Sequence, residues 1–164
     1  MRAKLILALA TMSVAALSTT VVAANPGAAS GASTHDHAKG CERSFEAAVE
    51  DYRVTTFEKD ADGFNALLAD DVTVVLAEGT TLVGKKASAD FVEAFFGNPA
   101  WTQTLDVVRT VKHRCQTAFV LFDSVLTMTP GGTPEPLAIG VTFVRERGQW
   151  LVLHNQDSTG PVAS

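Results

Sequence analysis

The chain's last apolar run, Trp150 to Leu153, gives way to five polar residues, His154, Asn155, Gln156, Asp157 and Ser158. An aspartate held in a water-poor pocket has its pKa raised towards neutrality and a histidine titrates near it already, which suits either to general acid or base work. Strand alternation puts His154, Gln156 and Ser158 on one face and Asn155 and Asp157 on the other, so only one set lines any pocket. The sequence leaves open which. The plain alternative is that strand ends lie near solvent and are polar for that reason alone. A further carboxylate, Asp123, interrupts the apolar run Phe119 to Leu126. Facing inward, it is an acid/base candidate, because a buried unpaired carboxylate is costly and is retained for a partner or a reaction. Facing outward, it is solvated or part of an interface. Asp157, Asp123 and His154 are therefore the three catalytic candidates, and His113, beside Arg114 and Cys115, reads as a turn residue.

Cys41 and Cys115 are the only cysteines. In an exported chain they form a disulfide, closing a loop of about 75 residues that the chain-entropy model values at roughly 4 kcal/mol. Two free thiols or a metal pair are the alternatives. Two cysteines alone make no zinc site, and no histidine stands at ligand spacing from either. His35-Asp36-His37 has the donor types for a transition metal, but within a flexible tether it holds nothing in fixed geometry. There is no glycine-rich dinucleotide turn after a strand, no CxxC pair and no metal triad, so neither metal nor cofactor is expected.

Arg2 and Lys4 precede an almost wholly apolar stretch from Leu5 to Leu17, and the small residues Val22-Ala23-Ala24 follow. This is the layout of a secretory signal over residues 1–24, and it implies an extracellular or cell-envelope location. The stretch is shorter than the roughly 20 residues needed to span a bilayer, so no membrane attachment is expected after cleavage. Removing residues 1–24 takes away Arg2 and Lys4 and no acidic residue, leaving 11 basic against 18 acidic residues and moving the net charge from -5 to -7. A nucleic-acid surface needs clustered basic residues, and Lys85-Lys86 and Lys112-His113-Arg114 are too small and too turn-bound to supply one. Residues 25–40, rich in Ala, Gly, Ser and Thr, read as a flexible linker. The remaining residues make one domain over 41–159, with 160–164 as a disordered tail; a hydrophobic share of 46% is ample for one core.

The elements that must position these groups follow from periodicity. Phe45, Ala48, Val49, Tyr52, Thr56 and Phe57 form one helical stripe from Cys41 onward. Asp60 or Asp62 caps a second short helix with Phe64, Leu67 and Leu68 at i, i+3 and i+4, closed by Asp70-Asp71. Val72–Ala77 and Thr80–Val83 make a hairpin about Glu78-Gly79. Ser88 offers an N-cap for a third helix carrying Phe91, Val92, Phe95 and Phe96, which Gly97 ends. Residues 103–111, 117–129, 137–146 and 149–157 are strand-like, joined by strong breakers and hence antiparallel. Their length predicts a curved sheet around the helices, an α+β fold.

That order, with Phe57-x-x-Asp60-x-x-x-Phe64-x-x-Leu67-x-x-Asp70-Asp71-Val72 and Gly79-x-x-x-x-Gly84-Lys85, resembles the cone-shaped barrel of nuclear transport factor 2-like and SnoaL-like proteins. The closing segment Gly148 to Ser158 is similar to the last strand of the SgcJ/EcaC subgroup, with Asp157 and Ser158 standing where that subgroup favours Asn and Thr. The resemblance spans Cys41 to Ser158 and implies a mostly apolar pocket at the open end of the cone. It implies Tyr52, Phe57, Phe91, Phe95 and Trp101 as pocket residues, joined by Asn155 and Gln156 from the last strand. Activity is not fixed by such a fold. Three readings follow: a domain binding a small apolar or amphipathic molecule, a cofactor-independent isomerase, cyclase or hydrolase, and a homodimeric assembly module. The cue for the last is the number of strand residues apolar on both faces, such as Phe119 to Phe122 and Ile139 to Val144.

Overall fold

A computed structural model describes residues 31–163, with side chains from Ala38 onward. The signal segment 1–24 and the first part of the linker lie outside the described residues. So do the side chains of His35, Asp36 and His37.

Helix α1 runs Gly31–Glu58, ten residues further back than its apolar stripe predicts. The extension is written in small and polar residues with no apolar stripe, so periodicity gives no sign of it. The buried face is Phe45, Ala48, Tyr52 and Thr56, spaced at i, i+3, i+7 and i+11. Phe57 follows Thr56 by one residue, a turn of about 100° around the axis, and is 78% exposed.

Helix α2 (Ala61–Ala66) is capped by Asp60, whose Oδ1 accepts from the Gly63 N–H at 3.0 Å. Strand β1 (Leu68–Val75) begins four residues before the expected Val72, so Leu68 belongs to the sheet and not to α2. Strand β2 (Thr81–Val83) returns antiparallel, and helix α3 (Lys85–Phe96) follows at once. Gly84, at φ +85°, caps α3; Ser88 lies inside the helix, its hydroxyl donating to the Gly84 carbonyl at 3.1 Å. A side chain at Gly84 would strain that left-handed backbone.

Strands β3 (Thr102–His113), β4 (Thr117–Thr127), β5 (Glu135–Glu146) and β6 (Gln149–Thr159) complete one six-stranded sheet in the order β2-β1-β6-β5-β4-β3. All neighbours are antiparallel except β1 and β6. The β5–β6 turn is Arg147-Gly148, both at positive φ, the conformation that matches strand twist in a two-residue hairpin. The sheet curls around the three helices, giving the expected α+β cone. Past β6 the Gly160 N–H donates to the Pro136 carbonyl and the Val162 N–H to Asp123 Oδ1.

The concave side packs Phe45 and Tyr52 of α1 against Phe122, Phe143 and Trp150. The Tyr52 and Phe122 rings stack at 5.6 Å, and Phe45 meets Phe143 and Trp150 edge-on. A second cluster of Val92, Phe96 and Trp101 anchors α3 to the start of β3. The Cys41–Cys115 disulfide ties α1 to the β3–β4 turn across 74 residues of chain.

Candidate functional site

The face that β6 presents to the helices is decided by an irregularity. Thr142 pairs with His154 but Phe143 pairs with Val152, so Leu153 is an extra residue on β6. Trp150 and Val152 point inward. Strict alternation would send His154, Gln156 and Ser158 inward after them. The bulge reverses this and turns Asn155 and Asp157 into the cone.

There they border a hollow of about 80 Å³ enclosed by α1, α3 and the sheet, with Tyr52, Phe64, Leu68, Val92 and Ile139 among its walls. Against it lies a second space, a vestibule of about 440 Å³ bounded by Glu78, Leu126, Met128, Glu135 and Leu137. Leu76, Phe91, Phe95, Gln103 and Asp157 line both spaces, so Asp157 stands at the waist between them. The hollow alone has room for two or three waters, each needing about 30 Å³. A space of the vestibule's size falls within the usual range of ligand sites.

The polar groups at the waist form a chain. The Tyr52 hydroxyl donates to Asn155 Oδ1 at 2.7 Å, and Asn155 Nδ2 donates to Asp157 Oδ1 at 2.8 Å. Burial pushes the Asp157 carboxyl up to about 6; the Asn155 bond opposes this and the Glu78 charge adds to it. Burial, and then the Asp157 charge, drive the Tyr52 phenol far above its ordinary value, so it stays protonated and serves as a donor. A carboxyl at about 6 exchanges its proton close to neutral pH, the property that general acid or base work requires.

Of the expected pocket residues, Tyr52, Phe91, Phe95, Asn155 and Asp157 come together at this site. The others do not. Phe57 sits on the outer groove between α1 and β3. Trp101 is buried behind Phe95, stacked on it at 4.6 Å with Nε1 donating to the Phe95 carbonyl, and it supports the wall without reaching the space. His154 and Gln156 lie on the convex face, His154 beside Thr73 and Thr142. Asp123 shares that face; its neighbours across the strands are Asp106 and Ala138, and it accepts the Val162 N–H. Asp123, His154 and Gln156 are corrected to positions outside the cavity, and the cause for the last two is the bulge.

Sequence reasoning missed Gln103, Ser88 and Thr56 in the lining and Glu78 at the mouth. Glu78 was legible only as part of a turn. The turn after β1 overhangs the open end of the cone, a placement only the three-dimensional pairing reveals.

The sequence profile of the SnoaL-like domain matches residues 49–153, well over half of the chain. The chain belongs to the SnoaL-like domain family. A search of curated proteins finds no match. Solved structures share the fold of this SnoaL-like domain at low identity. An NTF2-like protein with a cystatin-like fold from Novosphingobium aromaticivorans is 15% identical, with a TM-score of 0.65 over 82% of this chain and 92% of that one. A ketosteroid isomerase-like protein from Erwinia carotovora atroseptica is 20% identical, with a TM-score of 0.60 over 70% of this chain and 92% of that one. An NTF2-like protein of unknown function from Pseudomonas putida is 18% identical, with a TM-score of 0.61 over 73% and 87%.

Proposed function

We propose that this SnoaL-like domain binds a small, mostly apolar molecule that places one polar group at Asp157. The carrying observation is the convergence of Tyr52, Asn155 and Asp157 at the waist of an otherwise apolar and aromatic cavity. Leu76 lines both spaces, so Leu76→Trp narrows the passage without removing any member of the polar chain. A thermal-shift screen of small aromatic and aliphatic compounds is the test: a saturating binder stabilises the folded state by about 2.7 kcal/mol at a hundredfold excess over its Kd. Stabilisation that Leu76→Trp abolishes supports the reading. Failure of every apolar class to stabilise the wild type counts against it.

A second reading, acid/base turnover of the bound molecule, is favoured by the desolvated Asp157 with its carboxyl near 6. A ketosteroid isomerase-like protein of similar fold makes proton transfer the natural class to try. Turnover would then rise with pH through about 6 if Asp157 acts as base, and Asp157→Asn would abolish it.

Homodimerisation through the convex face is favoured by the exposure of Val111, Phe119 and Val125 there, with the Phe119 ring lying over Gly140. Sedimentation equilibrium should show a dimer that Phe119→Glu dissociates; a wild-type monomer would end this reading. Export and membership of the SgcJ/EcaC subgroup belong to the same proposal. The first is supported by the leader-like residues 1–24 and the disulfide, the second by the Gly148 to Ser158 segment.

A further inference from the structure

Hydrogen-bond polarity at the cavity is lopsided. The hydroxyls that line the hollow donate to the protein itself: Tyr52 to Asn155, Thr56 to the Tyr52 carbonyl at 2.8 Å, and Ser88 to the Gly84 carbonyl. Asn155 directs Nδ2 to Asp157, and Gln103 directs Nε2 to Ser124 Oγ at 3.1 Å. The described residues leave as unassigned acceptors the second oxygen of Asp157 and the amide oxygen of Gln103, and as unassigned donors one N–H each of the Asn155 and Gln103 amides, which carry no charge. Glu78 and Glu135 add carboxylates at the mouth, and no lysine, arginine or histidine lines either space. The nearly parallel rings of Phe91 and Phe95, 5.6 Å apart, form one wall of both spaces. Aromatic faces carry the negative side of the ring quadrupole and attract cations.

An anionic ligand would meet carboxylates with no counter-charge, and a neutral acceptor such as a ketone would find few free donors. A protonated amine meets neither obstacle. It brings up to three N–H donors and one positive charge to a site that offers acceptors, negative charge and aromatic faces and no cation among its lining residues.

Resting on the small-molecule reading above, we infer that the ligand is a cationic amphiphile: an apolar body carrying an ammonium group that pairs with Asp157 at the waist and is drawn in past Glu78 and Glu135. Asp157, mostly ionised at neutral pH and partly withdrawn from solvent, supplies the main contact. The two glutamates are exposed, so they act over distance and are screened by salt.

The test is calorimetric titration of the wild type and of Asp157→Asn with three compounds of one skeleton, phenylpropylamine, phenylpropanol and phenylpropanoate, at neutral pH. The amine is expected to bind about tenfold more tightly than the alcohol, the ratio that follows when a neutral hydrogen bond becomes charge-assisted, and the carboxylate to bind least. Asp157→Asn should bring amine and alcohol to near parity while the alcohol's affinity barely moves. Alcohol binding equal to or tighter than amine in the wild type overturns the charge inference and leaves the pocket reading standing. An amine preference that persists in Asp157→Asn overturns the assignment to Asp157. Absence of binding by all three compounds overturns the pocket reading and this inference with it.

Discussion

Asp157→Asn keeps the bond from Asn155, because an amide oxygen accepts as a carboxylate does, and it removes the buried charge. Since the folded carboxyl titrates near 6 and an unfolded aspartate near 3.9, the sign of the effect is fixed. Below about pH 4 both states hold the proton and the site carries no penalty; as pH rises through about 6 the folded protein must ionise a desolvated group and loses stability. Asp157→Asn should therefore match the wild type near pH 4 and exceed it by about 2 kcal/mol at pH 8, as measured by urea denaturation at the two pH values. An advantage of the variant that shrinks as pH rises would contradict the burial. Tyr52→Phe strips Asn155 Oδ1 of its donor in a buried site and should cost about 1 to 3 kcal/mol by the same method at any pH. The sequence made Asp157 conspicuous by type and position. It did not reveal the face, because one inserted residue at Leu153 inverts the alternation, and nothing in the run Trp150-Leu151-Val152-Leu153 marks where a bulge falls.

Helix phase separates core from surface on α1. Tyr52 and Thr56 lie on the buried stripe and Phe57 one step off it, so an aromatic next to the stripe passed for part of it. Phe57→Ser should shift stability by less than about 0.5 kcal/mol, the range of exposed positions, in a thermal melt. The succession of strands and the hairpin turns were legible, because glycine and proline punctuate them, whereas the parallel pairing of β1 with β6 joins segments far apart in the chain and left no local mark. The border between α2 and β1 was not legible either: Leu67 and Leu68 fit both a helical and a strand pattern, and pairing of Leu68 with Val152 of the parallel neighbour decides it. The disulfide joins the N-terminal half of α1 to the far turn of the sheet, and Cys41 and Cys115 were identifiable as partners because the chain has no others. Replacing both by serine should lower stability by about 4 kcal/mol, read from the urea midpoint under oxidising conditions against wild type. An unchanged midpoint would mean that the unfolded chain is not loosened by the loss.

At the scale of the molecule, curvature turns a sheet and three helices into a container. Long strands rich in apolar residues foretold the curled sheet, and the element order foretold the family. The container's mouth was hidden because it is assembled from the β1–β2 turn, α3, β3, the start of β5 and the end of β6, segments far apart in sequence. Its two carboxylate-bearing edges, Glu78 and Glu135, acquire a joint meaning only when the sheet brings them to one opening. The central claim is that this opening admits a small molecule as far as Asp157. Nitrogen-edited proton NMR during titration with phenylpropylamine and then phenylpropanol tests it most directly. Amide signals of Leu76, Phe91, Phe95 and Asp157 should move together with one saturation curve, while those of Phe119, Leu121 and His154 on the convex face stay fixed. Shifts confined to the convex face, or no shift at all with either compound, would contradict it.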